Sequence, residues 1–290
     1  MRTYGLRFDV NCSILFAELP LVRRAAAAKA AGFDGVEFWW PWDVMAPSDK
    51  KADAFARSVA DAGTELVSLN FHTGDMAAGE RGIVSHPARA AEFRENVAAA
   101  VEIAVRTGCR RLNAPYGLRV PGADIAEQEA VATENLAFAV EAAARAEASV
   151  LVEAINSVDI PGFPVDTSDK AMAVIGRVNL VRSGAAGLVK CGSGAQHETG
   201  RHDPPGVGLL ADLYHLAKMG EDVADVLDRH RKSILHVQVA DPPGRGAPGT
   251  GALEFEPLFR QLAEQDYDGW VGLEYLPSDP ADSATSFGWL

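Results

Sequence analysis

Short apolar, β-branched runs alternate along the chain with longer Ala-rich stretches whose apolar positions recur at helical spacing, the pattern of successive βα units around a parallel sheet. Strands are predicted over 6–11, 35–39, 65–71, 110–114, 149–155, 207–212, 234–240 and 269–275. Helices are predicted near 20–31, 48–62, 87–107, 124–147, 167–177, 213–231 and 254–265. Pro87 and Pro257 suit first helical turns, where a missing N–H leaves no bond unmade. Eight strands joined by at least seven crossover helices predict an α/β chain closed into a (β/α)8 barrel. No glycine-rich phosphate turn follows the first strand, as an open dinucleotide-binding sheet would require.

Two stretches depart from this rhythm. After the last strand only PSDPADSATSFGWL remains, so the eighth helix should be reduced, with Phe287, Trp289 and Leu290 packed on the barrel's flank. Residues 182–206 are rich in Gly, Ser and charge, and read as a long extra loop. Its His197 and His202 have no ligand spacing and are read as solvated.

Composition narrows the function classes. A chain of 290 residues with 48% hydrophobic content can bury one large core, so a single domain over 1–290 is expected. A formal charge of −13 has the wrong sign for neutralising phosphates, which argues against a nucleic-acid partner. The opening MRTYGLRFDVNC enters a strand pattern directly and no long uncharged apolar run follows, so no membrane partner and a cytoplasmic location are expected. Cys12, Cys109 and Cys191, odd in number and widely spaced, fit reduced thiols without a catalytic role.

The active site of such a barrel lies at the C-terminal ends of its strands. There VLVEAIN puts Glu153 in an apolar run, and WVGLEY does the same with Glu274. A carboxylate buried in a strand costs several kcal/mol unless it is paired, protonated or bound to a cation. LLADLYH ends on Asp212 with His215 one turn on, and LHVQVAD presents Gln238 between His236 and Asp241. Glu153, Asp212, Gln238 and Glu274 together would form an oxygen-rich site for a hard divalent cation such as Mg2+ or Mn2+, with the two glutamates a natural acid and base. Taken singly, each could instead be a capping or ion-pairing residue.

Further positions carry two readings each. His72 after the third strand either faces the mouth as a substrate contact or is a hydrogen-bonded structural histidine. Arg245, in the Gly- and Pro-rich loop 241–251, suits bidentate capture of a substrate carboxylate or is a solvated turn residue, and Arg81 is a weaker candidate of the same kind. Phe38, Trp39, Trp40 and Trp42 could wall a pocket or pack a loop onto the barrel.

The segments GFDGVEF, AAGERGI, VEAIN with IPGF, DLYH, HVQVADPPGR with PGTG, and YDGWVGLEY span nearly the whole chain and closely resemble those of hydroxypyruvate isomerases, within the xylose isomerase-like TIM barrel superfamily. The resemblance implies that Glu153 and Glu274 are the catalytic pair and that Glu153, Asp212, Gln238 and Glu274 surround a divalent metal. It makes His215 and Arg245 substrate contacts. The implied reaction interconverts hydroxypyruvate and tartronate semialdehyde through an enediolate, the partner being a small hydroxy-oxo acid. Separately from the resemblance, a homo-oligomer is expected. Isomerisation of 2-oxo-tetronates, ketose epimerisation and a non-catalytic binding barrel are the alternatives. One departure from the family is that a glycine-rich insertion separates Asn179 and Leu180 from Asp212, so either the strand is built from VGLLAD or the loop erupts at its base.

Overall fold

The computed structural model describes residues 2–186 and 205–290. A short β1 (Arg2–Thr3) turns back antiparallel onto β2 (Leu6–Asn11). Then follow β3 (Gly35–Phe38), β4 (Glu65–Asn70), β5 (Arg111–Asn113), β6 (Ser149–Glu153), β7 (Val207–Asp212), β8 (Ile234–Val239) and β9 (Trp270–Leu273). From β2 to β9 the strands pair in sequence order and in parallel, and β9 pairs back onto β2, closing the expected (β/α)8 barrel. Among the described residues no helix is long and apolar enough to cross a membrane.

The crossovers are carried by α1 (Leu21–Ala30), α2 (Asp49–Ala62), α3 (Ala90–Thr107), α4 (Ile125–Ala143), α5 (Ser168–Ala186), α6 (Leu213–Lys218), α7 (Val223–Arg229) and α8 (Phe255–Glu264). Several bounds differ from the sequence expectation. The helix expected over 213–231 is two, because Gly220 adopts φ +76° and Asp222 starts a new helix by accepting from the Asp225 N–H. The helix expected to stop at 177 runs on to Ala186, so the first residues of the stretch read as loop are helical. The rest of that stretch, 187–204 with Cys191, His197 and His202, lies outside the described residues. After β9 there is only a 3-10 turn, Ser283–Phe287.

The strands alternate because the two faces of this barrel wall differ in chemistry. In β2, Phe8 meets Phe259 of α8 edge-on at 5.3 Å, while Asp9 and Asn11 point into the barrel. Asp9 sits opposite Gly272 of β9, where a Cβ would come within 3.0 Å of the Asp9 carboxylate and 2.8 Å of that of Glu37. The barrel interior therefore holds polar side chains, and the large apolar core lies between strands and helices, as where Phe38 packs on Phe55 of α2. The C-terminal residues join this outer core: Phe287 lies 4.8 Å from Phe33, and Trp289 packs against Phe8, Phe259 and Tyr275.

Candidate active site

A cavity of about 410 Å3 opens among the loops at the C-terminal ends of the strands, within the range of small-molecule sites. Glu153, His215, Arg245 and Glu274 line it together with Trp39, Arg81, Asp159 and Tyr214. Each side chain arrives by a local rule. Glu153 is the last residue of β6 and Glu274 follows β9 directly, so both stand on the barrel rim. Asp212 ends β7 and caps α6, its Oδ1 accepting from the Tyr214 N–H at 2.8 Å and the His215 N–H at 3.4 Å. That cap sets His215 in the first turn of α6, facing back over the mouth.

The environments of the two glutamates differ. Glu274 accepts from the Asn11 amide at 2.9 Å and the Trp39 indole at 2.5 Å through Oε1, and from Arg245 at 2.7 Å through Oε2. Burial pushes its pKa up to about 8, with Arg245 opposing and Asp212 and Glu37 adding to the rise. Among the described residues Glu153 accepts from the Asn113 amide alone, at 2.8 Å through Oε2. Burial, then the charges of Glu274 and Asp212, raise its pKa well above the usual carboxylate range. Two carboxylates held in unlike surroundings are a recurring arrangement for acid–base pairs.

His215 is neutral, burial pushing its pKa down to about 4 against the pull of Asp212. Its Nδ1 receives the Asn156 backbone N–H at 3.3 Å and faces the Asn156 amide at 2.6 Å. The orientation of that amide is set independently, since Asn156 Oδ1 accepts from the Asp159 N–H at 2.7 Å. Nδ1 is thus an acceptor and the proton sits on Nε2, which lies 3.6 Å from Asp212 and 3.7 Å from Glu153. A donor there suits a substrate oxygen better than a cation.

The residues fit a divalent cation on two counts. Glu153 and Asp212 offer carboxylate oxygens within 4.8 Å of each other. Two buried oxygens on the paired residues of β7 and β8, Asp212 Oδ2 and Gln238 Oε1, have no hydrogen-bond partner among the described residues. The Gln238 amide nitrogen donates to Glu37 at 2.7 Å, so the oxygen is the atom left without a partner among the described residues. Glu37 is also reached by Asn11 at 3.1 Å and His236 at 2.7 Å, and with Asp9 and His236 forms a second buried carboxylate–histidine cluster, inside the barrel.

Other residues singled out in the sequence have different surroundings. His72 is not among the residues lining the cavity; its Nδ1 accepts from the Gly74 N–H at 2.8 Å and its backbone is held by Asn96. Asp241 organises the loop after β8, accepting from the N–H groups of Gly249, Gly251 and Leu253. Trp39 lines the cavity, whereas Trp40 and Trp42 pack on each other and Trp42 on Phe55. Asn11, Glu37, Asn113, Asn156, Asp159 and Tyr214 escaped sequence reading. The one signal for the first two was the polar alternation in LRFDVN and GVEF.

Comparisons with known proteins agree with this fold. A profile of the xylose isomerase-like TIM barrel family matches residues 25–186 and 198–290. A Streptomyces coelicolor protein named "Putative hydroxypyruvate isomerase" is 47% identical over 98% of this chain and 95% of its own. A 2-oxo-tetronate isomerase of Cupriavidus necator is 36% identical over 98% of this chain and 97% of its own. The crystal structure of an AP endonuclease, family 2, from Brucella melitensis superposes with a TM-score of 0.82 at 32% identity, covering 98% of this chain and 97% of that one. By sequence and architecture alike, the chain belongs to the xylose isomerase-like TIM barrel family, in its hydroxypyruvate isomerase group.

Proposed function

We propose that this isomerase interconverts hydroxypyruvate and tartronate semialdehyde, with Glu153 and Glu274 as its acid–base pair. The observation that carries the reading is that two buried carboxylates with unlike hydrogen-bonding share one small cavity with a neutral histidine donor. Glu274, whose anion is held by Arg245, Trp39 and Asn11, gives up its proton first and takes the proton from C3 of hydroxypyruvate. Glu153, held by Asn113 alone among the described residues, keeps its proton longer and delivers it to C2. The hydroxyl proton on O3 passes to O2, so the net change is one C–H and one O–H moved between neighbouring carbons. His215 Nε2–H steadies the enediolate oxygen, and Trp39 walls the cavity against water.

Asp212, Gln238 and the glutamates would hold a Mg2+ or Mn2+ ion, which supplies a positive charge beside the developing oxyanion. The Cupriavidus relative supports 2-oxo-tetronate as a second substrate, and 410 Å3 leaves room for a fourth carbon. Nuclear magnetic resonance of purified protein with each acid, before and after chelation, tests the substrate and the ion together. Glu153→Gln and Glu274→Gln should each lower kcat by about 10²–10⁴-fold with the fold intact. Near-native turnover in either variant would sink the two-glutamate mechanism.

A further inference from the structure

We propose that the substrate's carboxylate is received by Arg81 and not by Arg245, an inference that rests on the hydroxy-oxo-acid reading above. Arg245 is already committed. Its Nη2 lies 2.7 Å from Glu274 and 3.8 Å from Asp212, its Nε donates to the Glu274 carbonyl at 3.3 Å, and its guanidinium stands over the Tyr214 ring at 5.2 Å. Glu274 and Asp212 thus already answer this cation. A substrate carboxylate arriving there would have to compete with Glu274 for the Nη2 donor.

Arg81 lines the same cavity and forms no ion pair among the described residues. Its Nη1 is pinned by the carbonyls of Met76 at 3.0 Å and Glu80 at 2.7 Å, and its Nε and Nη2 donors have no partner among the described residues. Those two nitrogens form the side-on edge that pairs a carboxylate through two parallel hydrogen bonds. The adjacent Glu80 cannot neutralise it cheaply, because Glu80 is held by Arg89 at 2.7 Å and by the Asp75 N–H at 2.5 Å.

The loop carrying Arg81 is built to stay in place. Gly82, at φ +125°, donates to the Thr73 carbonyl at 2.7 Å, and any Cβ there would come within 2.1 Å of the Pro115 carbonyl oxygen. A cation fixed on the β4–α3 connection orients a short acid with its carboxylate on that side and its C2 and C3 toward the glutamates of β6 and β9. Neutral sugars lack the group that this cation would select.

The test compares Arg81→Met and Arg81→Lys with the wild-type protein in the presence of Mg2+. For Arg81→Met, KM for hydroxypyruvate should rise by about 10- to 100-fold with kcat held within about threefold, Arg81→Lys falling between. Turnover of glyceraldehyde, in which CH2OH replaces the carboxylate, should change by less than about threefold in both variants. An unchanged KM for the acid, or equal losses on both substrates, would overturn the inference. Calorimetric titration with D-glycerate separates it from the reaction: about 10- to 100-fold weaker binding to Arg81→Met is expected. Wild-type protein that does not bind D-glycerate, or binding that Arg81→Met leaves unchanged, overturns the role of Arg81. Binding lost in Arg81→Met but no isomerisation of hydroxypyruvate by the wild type would leave that role standing and reject the substrate alone.

Discussion

Asp9 lies wholly inside the barrel, and neither of its carboxylate oxygens has a hydrogen-bond partner among the described residues. Burial, then the charge of Glu37, raises its pKa well above the usual carboxylate range, with Arg111 opposing. The folded chain therefore keeps a proton that the unfolded chain releases above about pH 4, and Asp9 subtracts stability as pH rises from there toward its raised value. Asp9→Asn should flatten this dependence, its melting temperature gaining on the wild type between pH 5 and pH 8; parallel curves would reject the assignment. Glu37 acts differently, since it receives N–H groups from Asn11, Gln238 and His236 and so orients both the Glu274 clamp and the free Gln238 oxygen. Glu37→Gln turns an acceptor into a donor against these partners and should weaken Mn2+ affinity by about 10- to 100-fold. Unaltered Mn2+ binding in a folded variant would show that Gln238 is held by something else.

At the scale of elements, the sequence periodicity located all eight barrel strands and most helix cores, because burial against the helix layer imposes an apolar face on each. It was weaker where local geometry intervenes. The break between α6 and α7 depends on a left-handed Gly220, and the extension of α5 on continued helical pairing through residues of unremarkable composition. The β4–α3 connection carries Arg81, which forms no ion pair among the described residues, and a Cβ at Gly82 would meet the Pro115 carbonyl oxygen at 2.1 Å. Gly82→Ala combines an unfavourable φ with a clash against backbone and should cost about 2–4 kcal/mol. It should also raise KM for the acid substrate through displacement of Arg81; wild-type unfolding temperature and KM together would show that the loop adapts freely.

For the whole molecule, the short tail after β9 completes the outer core in place of a full eighth helix. Trp289 packs on Phe8 and Phe259, and its indole N–H donates to the Tyr275 hydroxyl at 3.1 Å. Trp289→Ala should cost about 2–4 kcal/mol of unfolding free energy, measurable by denaturant titration, without altering catalytic parameters. A loss of activity at full stability would instead tie the tail to the site. The sequence by itself determined the barrel, the strand-end carboxylates and the family, since alternation, spacing and motif order are properties of a one-dimensional pattern. Only the tertiary structure decided that Arg245 is shared among carboxylates while Arg81 is not, that His72 turns to its own loop, and that Glu37 orients Gln238 from a strand distant in sequence. Those outcomes depend on distances between residues far apart along the chain, and on which buried polar atoms find partners, quantities that closing the barrel creates.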